Sequence, residues 1–142
     1  RMSHPSLDLA ARAVMLSGLS SFNATGAGTA TLTVYQNFTA LCVFNLATTP
    51  WGTAVRDSMP LASVPITNTG TAVAGSANRF VIVNRGSAVV LSGTISAVGG
   101  GGNIEVPAVA VTAAAAQSLL ALVAHMANDG SLTLSNGGFA FQ

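Results

Sequence analysis

The sequence describes a chain of 142 residues in which only 6% of the residues are charged, 50% are hydrophobic and the formal net charge is +1. Ordinary soluble domains carry about 25% charged residues, so a surface this poor in charge is typical of a subunit that neighbours largely cover. The chain contains no lysine, and its five arginines are dispersed, whereas a nucleic-acid groove needs clustered basic side chains. The composition therefore predicts a single domain over residues 1–142 that does not bind nucleic acid.

The chain opens with a predicted arm and helix over residues 1–22. Residues 3–6 supply a cap and an early proline for a helix that runs to about Leu19. Asp8 and Arg12 are expected to form an ion pair one turn apart. Small and apolar side chains recur at helical spacing on another face, which contains Leu7, Ala11, Val14, Met15 and Gly18. This face either covers the chain's own sheet or reaches a neighbouring subunit.

From residue 30 onward, the sequence predicts short strands separated by turns. Residues 31–35 alternate polar and apolar side chains, as a half-buried strand does, and residues 41–46 form a second strand. The turn between these strands can carry Phe38 outward. Cys42 is the single cysteine, so it cannot form an intrachain disulfide, and a buried, inert thiol is expected.

An irregular segment over residues 48–53 contains the only tryptophan, Trp51. Its side chain either folds back on the core or, if exposed, anchors an interface, because tryptophan is enriched among residues that dominate binding energy. Residues 61–66 are predicted to form a short edge strand, since Pro60 and Pro65 cannot donate to a ladder.

The central prediction is a hairpin over residues 77–96. Two apolar runs, residues 80–83 and 88–95, flank a turn in which Asn84 and Gly86 can take the positive φ of a tight reversal. Both runs are apolar on both faces, so they are expected between two covered layers or in the middle of a sheet.

Beyond the hairpin, residues 99–102 form a glycine tip, and residues 104–106 resume a strand with Glu105 on its solvent face. Residues 113–126 fit two structures, because the alanine content and a helical stripe favour a helix while the same side chains suit a buried strand. The uncharged run over residues 108–127 is long enough to span a bilayer. It contains polar side chains and lacks aromatic or arginine anchors, so no membrane segment is predicted.

The last part of the chain is predicted to be extended. A turn at Asp129, a strand over residues 132–134 and a turn over residues 136–138 precede a tail that contains Phe139 and Phe141. The tail can pair with a sheet edge here or in a neighbouring copy. Short strands at regular intervals predict a mainly β fold, an antiparallel β-sandwich of jelly-roll or immunoglobulin-like type over residues 30–142 with one N-terminal α-helix.

The sequence supplies little of the chemistry that catalysis or metal binding requires. His4 lies in the arm, and His125 lies in an apolar run, where a structural imidazole is expected. The four acidic residues are dispersed over different elements, and no lysine follows the glycine tip, so neither a carboxylate pair nor a phosphate loop is indicated. We therefore expect no enzyme activity, no metal and no cofactor.

A series of short motifs carries a family resemblance. The motifs are residues 31–35, 46–47, 74–77, 80–83, 93–95 and 101–106, together with Gly86 and Val90. In this order they resemble small virion proteins of tailed phages and prophages, and most of the chain can be laid along the pattern. Relatives have a turn and then a strand at residues 113–126, which favours the strand there. Ala116 stands where a glycine is usual before a glutamine such as Gln117, and this weakens the turn.

The resemblance implies a decoration or cement protein of the phage head. Such a protein binds between major capsid subunits, associates with copies of itself as a homo-oligomer and stabilises the shell. Its location is the capsid surface of the virion, and the host cytoplasm during assembly. The predicted subunit contacts lie in the arm, the loops and the tail, at Arg1, His4, Asp8, Arg12, Trp51, Phe139 and Phe141.

Two other functions fit the sequence. A tail, neck or baseplate protein shares these sequence features, and the copy number per particle separates it from a head protein. A carbohydrate-binding or adhesin module suits the predicted jelly roll. A glycan platform normally exposes several aromatic side chains, whereas this chain has one tryptophan and one tyrosine.

Overall fold

A computed structural model describes residues 6–134 and 138–142. Over these ranges the chain is mainly β, with one N-terminal helix and several antiparallel sheets, as the sequence predicted. The elements in chain order are α1 (Leu9–Asn23), β1 (Thr31–Gln36), β2 (Thr39–Asn45), β3 (Ser58–Pro60), β4 (Ile66–Thr67), β5 (Gly75–Ser76), β6 (Arg79–Val83), β7 (Val89–Ala97), β8 (Ile104–Val106), β9 (Ala110–Val111), β10 (Ser118–Leu119), β11 (Val123–Met126), β12 (Leu132–Leu134) and β13 (Phe139–Ala140).

The strands form one large sheet and several small ones. The large sheet has five strands in the order β2, β1, β6, β7, β8. The smaller sheets that the described residues form have the orders β13-β10-β4, β12-β11-β3 and β5-β9. Helix α1 packs against β3, β7 and β11, so it joins the large sheet to one of the smaller sheets.

The predicted central hairpin is formed by β6 and β7, which lie in the middle of the five-stranded sheet. Phe80 and Ile82 are buried on one face of β6, whereas Arg79, Val81 and Val83 are only partly buried on the other. Within the single chain, therefore, the hairpin is central in its sheet but is fully covered on one face rather than two.

The turn of this hairpin differs from the prediction. Neither Asn84 nor Gly86 has a positive φ, and Ser87 takes it instead, at 67°. The Asn84 side chain is buried, and its Oδ1 accepts hydrogen bonds of 2.9 Å from the backbone N–H groups of Gly86 and Ala88. Its Nδ2 donates to the backbone oxygen of Phe22 at 3.2 Å. One amide therefore shapes the turn and fastens it to α1.

The connection from β7 to β8 explains the glycine tip. Strand β8 runs parallel to β7 after the short connection of residues 98–103, whereas parallel neighbours usually need a crossover of about a dozen residues or more. Gly99 and Gly101 have φ values of 88° and 80°, and a Cβ at Gly102 would lie 2.8 Å from the backbone nitrogen of Ser96. The chain can turn back this tightly because these positions carry no side chain.

Strand β8 covers only part of β7. It pairs with residues 95–97 at the end of β7, and Asn103 adds to this cover because its Oδ1 accepts a hydrogen bond of 2.9 Å from the backbone N–H of Thr94. Among the described residues, no strand pairs with this side of β7 over residues 89–93. That stretch is an open strand edge.

Residues 113–126 contain no helix. They form a turn followed by β10 and β11, as the resemblance favoured. The Gln117 side chain is fully buried, and its Nε2 donates to the backbone oxygens of Ala115 and Gln142 at 3.0 and 2.8 Å. Bonds to residues distant in sequence hold this segment extended and outweigh the local helix propensity of alanine. No helix of the described residues is long and apolar enough to cross a membrane.

The predicted edge strand over residues 61–66 is wrong in its bounds. Two short strands flank this segment, since β3 ends at Pro60 and β4 begins at Ile66, while residues 62–65 are irregular. A proline lacks the N–H that would continue a ladder, so the segment between the two prolines is a connection. Strand β3 itself lies at the edge of its sheet, where a proline is tolerated.

The variant Asn84→Ala tests the importance of the buried amide in the hairpin turn. It removes the acceptor of two backbone hydrogen bonds and the donor to α1, so we expect the free energy of unfolding to fall by roughly 2–4 kcal/mol. Urea unfolding followed by circular dichroism measures the change. Asn45→Ala is the matched control, because Asn45 is an exposed residue of β2. Equal losses in the two variants would contradict this account.

Candidate interaction surface

The predicted contacts at the start of the chain are only partly described. Arg1 and His4 lie outside the described residues. Asp8 is exposed at the N-cap of α1 and makes no side-chain hydrogen bond there. The predicted ion pair between Asp8 and Arg12 does not form, because Nε of Arg12 donates to the backbone oxygen of Leu7 at 2.8 Å. Asp8 stays a candidate contact, while Arg12 stabilises the start of the helix.

Trp51 is buried, with 2% of its surface exposed. Its indole Nε1 donates a 2.8 Å hydrogen bond to Oδ1 of Asn23, which is itself fully buried at the end of α1. Of the two alternatives for this side chain, the core position is therefore the one found. The alternative of an exposed tryptophan anchor at this loop is wrong, because the indole ring packs in the apolar core and its N–H is hydrogen-bonded to a buried amide.

The two phenylalanines of the tail also pack inside the chain. Phe139 is buried, with its ring centroid 5.7 Å from that of Phe44 and 5.0 Å from that of Phe141. Strand β13 pairs with β10, so the tail adds to a sheet of its own chain. Phe139 is therefore not available as a contact, and Phe141, which is only partly buried, keeps an accessible edge.

The outer face of α1 is apolar and exposed. This face, called here the outer helix face, consists of Val14, Met15, Gly18 and Phe22, with Val14 71% and Phe22 46% exposed. Leu16 is the buried apolar residue that docks the helix. Of the face that the sequence singled out, Val14, Met15 and Gly18 are exposed, whereas Leu7 and Ala11 are half-buried. The exposed part fits a contact with a neighbour.

A second exposed feature lies at the turn between β1 and β2. Phe38 is 93% exposed, and the turn that carries it is held on both sides. The backbone N–H of Asn37 donates to Oδ1 of Asn78 at 2.8 Å, and Nδ2 of Asn78 donates to Oδ1 of Asn37 at 2.9 Å. Arg79 contributes a third bond, from its Nε to the backbone oxygen of Asn37 at 3.2 Å.

The Arg79 guanidinium also lies over the Tyr35 ring and near the Phe38 ring at this turn. Its central carbon lies 4.5 Å from the ring centroid of Tyr35 and 5.8 Å from that of Phe38, within range of cation–π attraction. Tyr35, Asn37, Phe38, Asn78 and Arg79 are called the Phe38 tip below. The tip is a hydrogen-bonded turn that presents one aromatic ring beside one positive charge.

A cleft lies where the open edge of β7 faces β12. Its volume is about 400 Å³, within the range of about 300–1,000 Å³ that is usual for binding sites. We call it the acidic cleft, because its walls include one carboxylate among mostly apolar and neutral groups. The lining residues are Phe80, Leu91, Ser92, Gly102, Asn103, Glu105, Leu132, Thr133 and Leu134.

The described residues bring together few groups with reactive chemistry. No three His, Cys, Asp or Glu side chains within residues 6–134 and 138–142 lie close enough to hold a metal ion. The Oγ of Ser58 lies 3.5 Å from Nδ1 of His125, a pairing that the sequence did not suggest, but this distance is at the limit of a hydrogen bond. Cys42 is buried, and the burial raises the pKa of its thiol to about 12.

Comparisons with known proteins do not identify a function for this surface. A scan against protein-family models, a search of curated proteins and a search of solved structures each found no match. The resemblance to phage virion proteins thus stays a prediction.

Burial of Cys42 gives the chain a testable pH dependence. Because the folded thiol has a pKa of about 12, above the value of roughly 8.5 for an exposed cysteine, the neutral thiol is favoured in the fold. Its contribution to stability is complete below the lower pKa and is lost as the pH rises toward the higher one. Between these two pKa values, we expect the unfolding free energy of Cys42→Ala to decline less with rising pH than that of the original chain. Urea unfolding at a series of pH values measures the difference. Parallel declines would contradict this.

Proposed function

We propose that this chain is a structural protein of a tailed-phage virion that decorates the head by binding between major capsid subunits. The observation that carries this proposal is the outer helix face, an exposed apolar surface in a chain with only 6% charged residues. Burying such a surface removes few ions from water, so association has a low desolvation cost.

The outer helix face lies close in sequence to three of the other predicted contacts. Asp8 immediately precedes α1, and Arg1 and His4 precede it in sequence. One stretch of the chain, from the N-terminal residues through α1, would therefore contact the shell. Binding of this kind stabilises the shell by mass action, because only the assembled lattice presents the complete site.

We propose, further, that the sheets form a sandwich of the jelly-roll or immunoglobulin-like type. The five-stranded sheet and the smaller sheets contribute to one cluster of buried side chains, with Leu16 of α1 joining it. Sheets that share one core are what a sandwich requires, and all strand pairs here are antiparallel except β7 with β8 among the described residues.

The alternatives that the sequence left open differ in how well this surface supports them. A tail, neck or baseplate protein uses the same kind of apolar contact, and a low copy number in purified particles would favour it. The carbohydrate-binding alternative was suggested by the predicted jelly roll, and Trp51, the one tryptophan that a glycan could stack on, is buried. An adhesin role thus lacks an exposed tryptophan, and Phe38 is the strongly exposed aromatic side chain of the described residues.

Particles assembled with and without this chain test the proposal directly. A head-decoration protein is expected at hundreds of copies per particle by quantitative mass spectrometry of purified virions, since it follows the capsid lattice. Particles that lack it should release their DNA at a lower temperature in a fluorescence melting assay. Equal heat resistance of the two kinds of particle would refute the proposal, as would a copy number of about a dozen or fewer.

Gly18 offers a sharper test of the outer helix face. A Cβ built at Gly18 meets nothing within 4 Å, so Gly18→Ala should raise the unfolding free energy of the isolated chain by about 0.5–1 kcal/mol through helix propensity alone. If a capsid subunit packs closely on this face, the added methyl group weakens binding to particles even though the chain is more stable. Urea unfolding and a particle co-sedimentation assay measure the two effects.

Ser17→Ala is the matched control for this test. Ser17 is an exposed residue of the same helix, but it lies off the outer helix face, so its replacement improves helix propensity without adding a group to that face. We expect unchanged particle binding for Ser17→Ala. Equal binding by both variants would show that the shell does not pack closely at Gly18.

A further inference from the structure

We infer that two copies of this chain associate reciprocally, with the Phe38 tip of each copy in the acidic cleft of the other and Arg79 paired with Glu105. The partner is thus a second copy of the same chain, and each copy supplies one projection and one recess.

The backbone of the Phe38 tip is preorganised for such a contact. Its turn is held by three hydrogen bonds among Asn37, Asn78 and Arg79, and the Arg79 guanidinium is stacked on Tyr35. The backbone of the turn and Arg79 therefore lose little conformational freedom on association, which favours binding. The Phe38 ring is 93% exposed, so nearly all of its apolar surface is still to be buried.

The acidic cleft has the chemistry to receive this tip. Leu91, Leu132 and Leu134 give it apolar walls, and Glu105 places a carboxylate in the lining. The Oε2 atom of Glu105 accepts a hydrogen bond of 2.9 Å from the backbone N–H of Gly101, which fixes the carboxylate in place. A phenylalanine beside a positive charge therefore matches both parts of the cleft.

Charge complementarity favours this occupant over another surface of the chain. Nε of Arg79 donates to a backbone oxygen, and no carboxylate pairs with this guanidinium among the described residues. Glu105 likewise bonds to a backbone N–H rather than to a cation. The chain has five basic and four acidic residues, and in the described part only Arg79 lies beside a strongly exposed aromatic ring.

The position of the two features indicates a two-fold arrangement. Thr94 lines the recess beside Phe38 and Arg79, and its backbone N–H and its hydroxyl both donate to Oδ1 of Asn103, which lines the acidic cleft. Projection and cleft are therefore neighbours on one patch. A patch that carries both halves of a contact is self-complementary, so two copies can satisfy both contacts at once.

This inference concerns the self-association within the proposed function, and it is tested on the purified full chain without particles. Sedimentation equilibrium from micromolar to millimolar concentration should show a reversible monomer–dimer equilibrium. Phe38→Ala should raise the dissociation constant roughly ten- to a hundredfold, because the largest apolar contact is lost. Phe22→Ala is the matched control, since Phe22 lies on the outer helix face, and its constant should change less than about twofold.

Charge reversal tests the pairing itself. Arg79→Glu and Glu105→Arg should each weaken the dimer, because like charges then meet at both contacts of the pair. An equimolar mixture of these two variants should restore association, since each copy then faces a partner of opposite charge. Arg56→Glu is the matched control for Arg79→Glu, because Arg56 is an exposed arginine outside the tip, and by itself it should dimerise like the original chain. Circular dichroism shows whether each variant is folded. If Glu105→Arg is unfolded, Glu105→Gln replaces it, because glutamine keeps an acceptor for the backbone N–H of Gly101.

Three results would overturn the inference. They are a chain that stays monomeric at all concentrations, a dimer that is insensitive to Phe38→Ala and Arg79→Glu, and a mixture of folded charge-reversed variants that does not associate. With Glu105→Gln in place of Glu105→Arg, a dimer as stable as that of the original chain overturns it equally. These failures leave binding to the capsid untouched, whereas a dimer without affinity for particles would overturn the proposed function instead.

Discussion

Three buried side-chain amides connect the parts of this chain, and the rest of the structure depends on them. Asn23 binds the Trp51 indole through Oδ1 and donates from Nδ2 to the backbone oxygen of Val83 at 3.3 Å. Asn84 joins the hairpin turn to the helix, and Gln117 joins β10 to the residues after β13. With so few charged residues in the chain, neutral amides supply these buried long-range links. An amide is less costly to remove from water than an ion, so it suits a buried link.

The parts of the fold with a strong local signal could be predicted from the sequence. The central hairpin was evident from two β-branched runs around a turn, and the exposed turn at Phe38 from the polar residues between two strands. The positive φ at Ser87 could not be predicted, because the Asn84 side chain determines the shape of that turn. Residues 113–126 show the same limit, since alanine favours a helix locally while Gln117 bonds to residues far along the chain.

The candidate surface was harder to predict, because exposure depends on which of several apolar groups meets the core. Helix α1 has apolar residues on two faces. Periodicity singled out the face of Val14 as the contact face, whereas the helix packs on the core through Leu16. Trp51 is buried through a partner, Asn23, that lies far away in sequence. The acidic cleft had no sequence signal, since Glu105 and Leu132 come together only when β8 and β12 are placed by the fold.

The open edge of β7 over residues 89–93 has a consequence for solubility. An unpaired strand edge can template the addition of strands from other chains, which leads to aggregation, and many proteins guard such edges with lysines. This chain has no lysine. Because Leu91 and Ser92 line the acidic cleft as well as belonging to the edge, a second copy seated in the cleft would shield the edge too. Formation of a closed, two-fold symmetric dimer would then protect the protein from open-ended polymerisation.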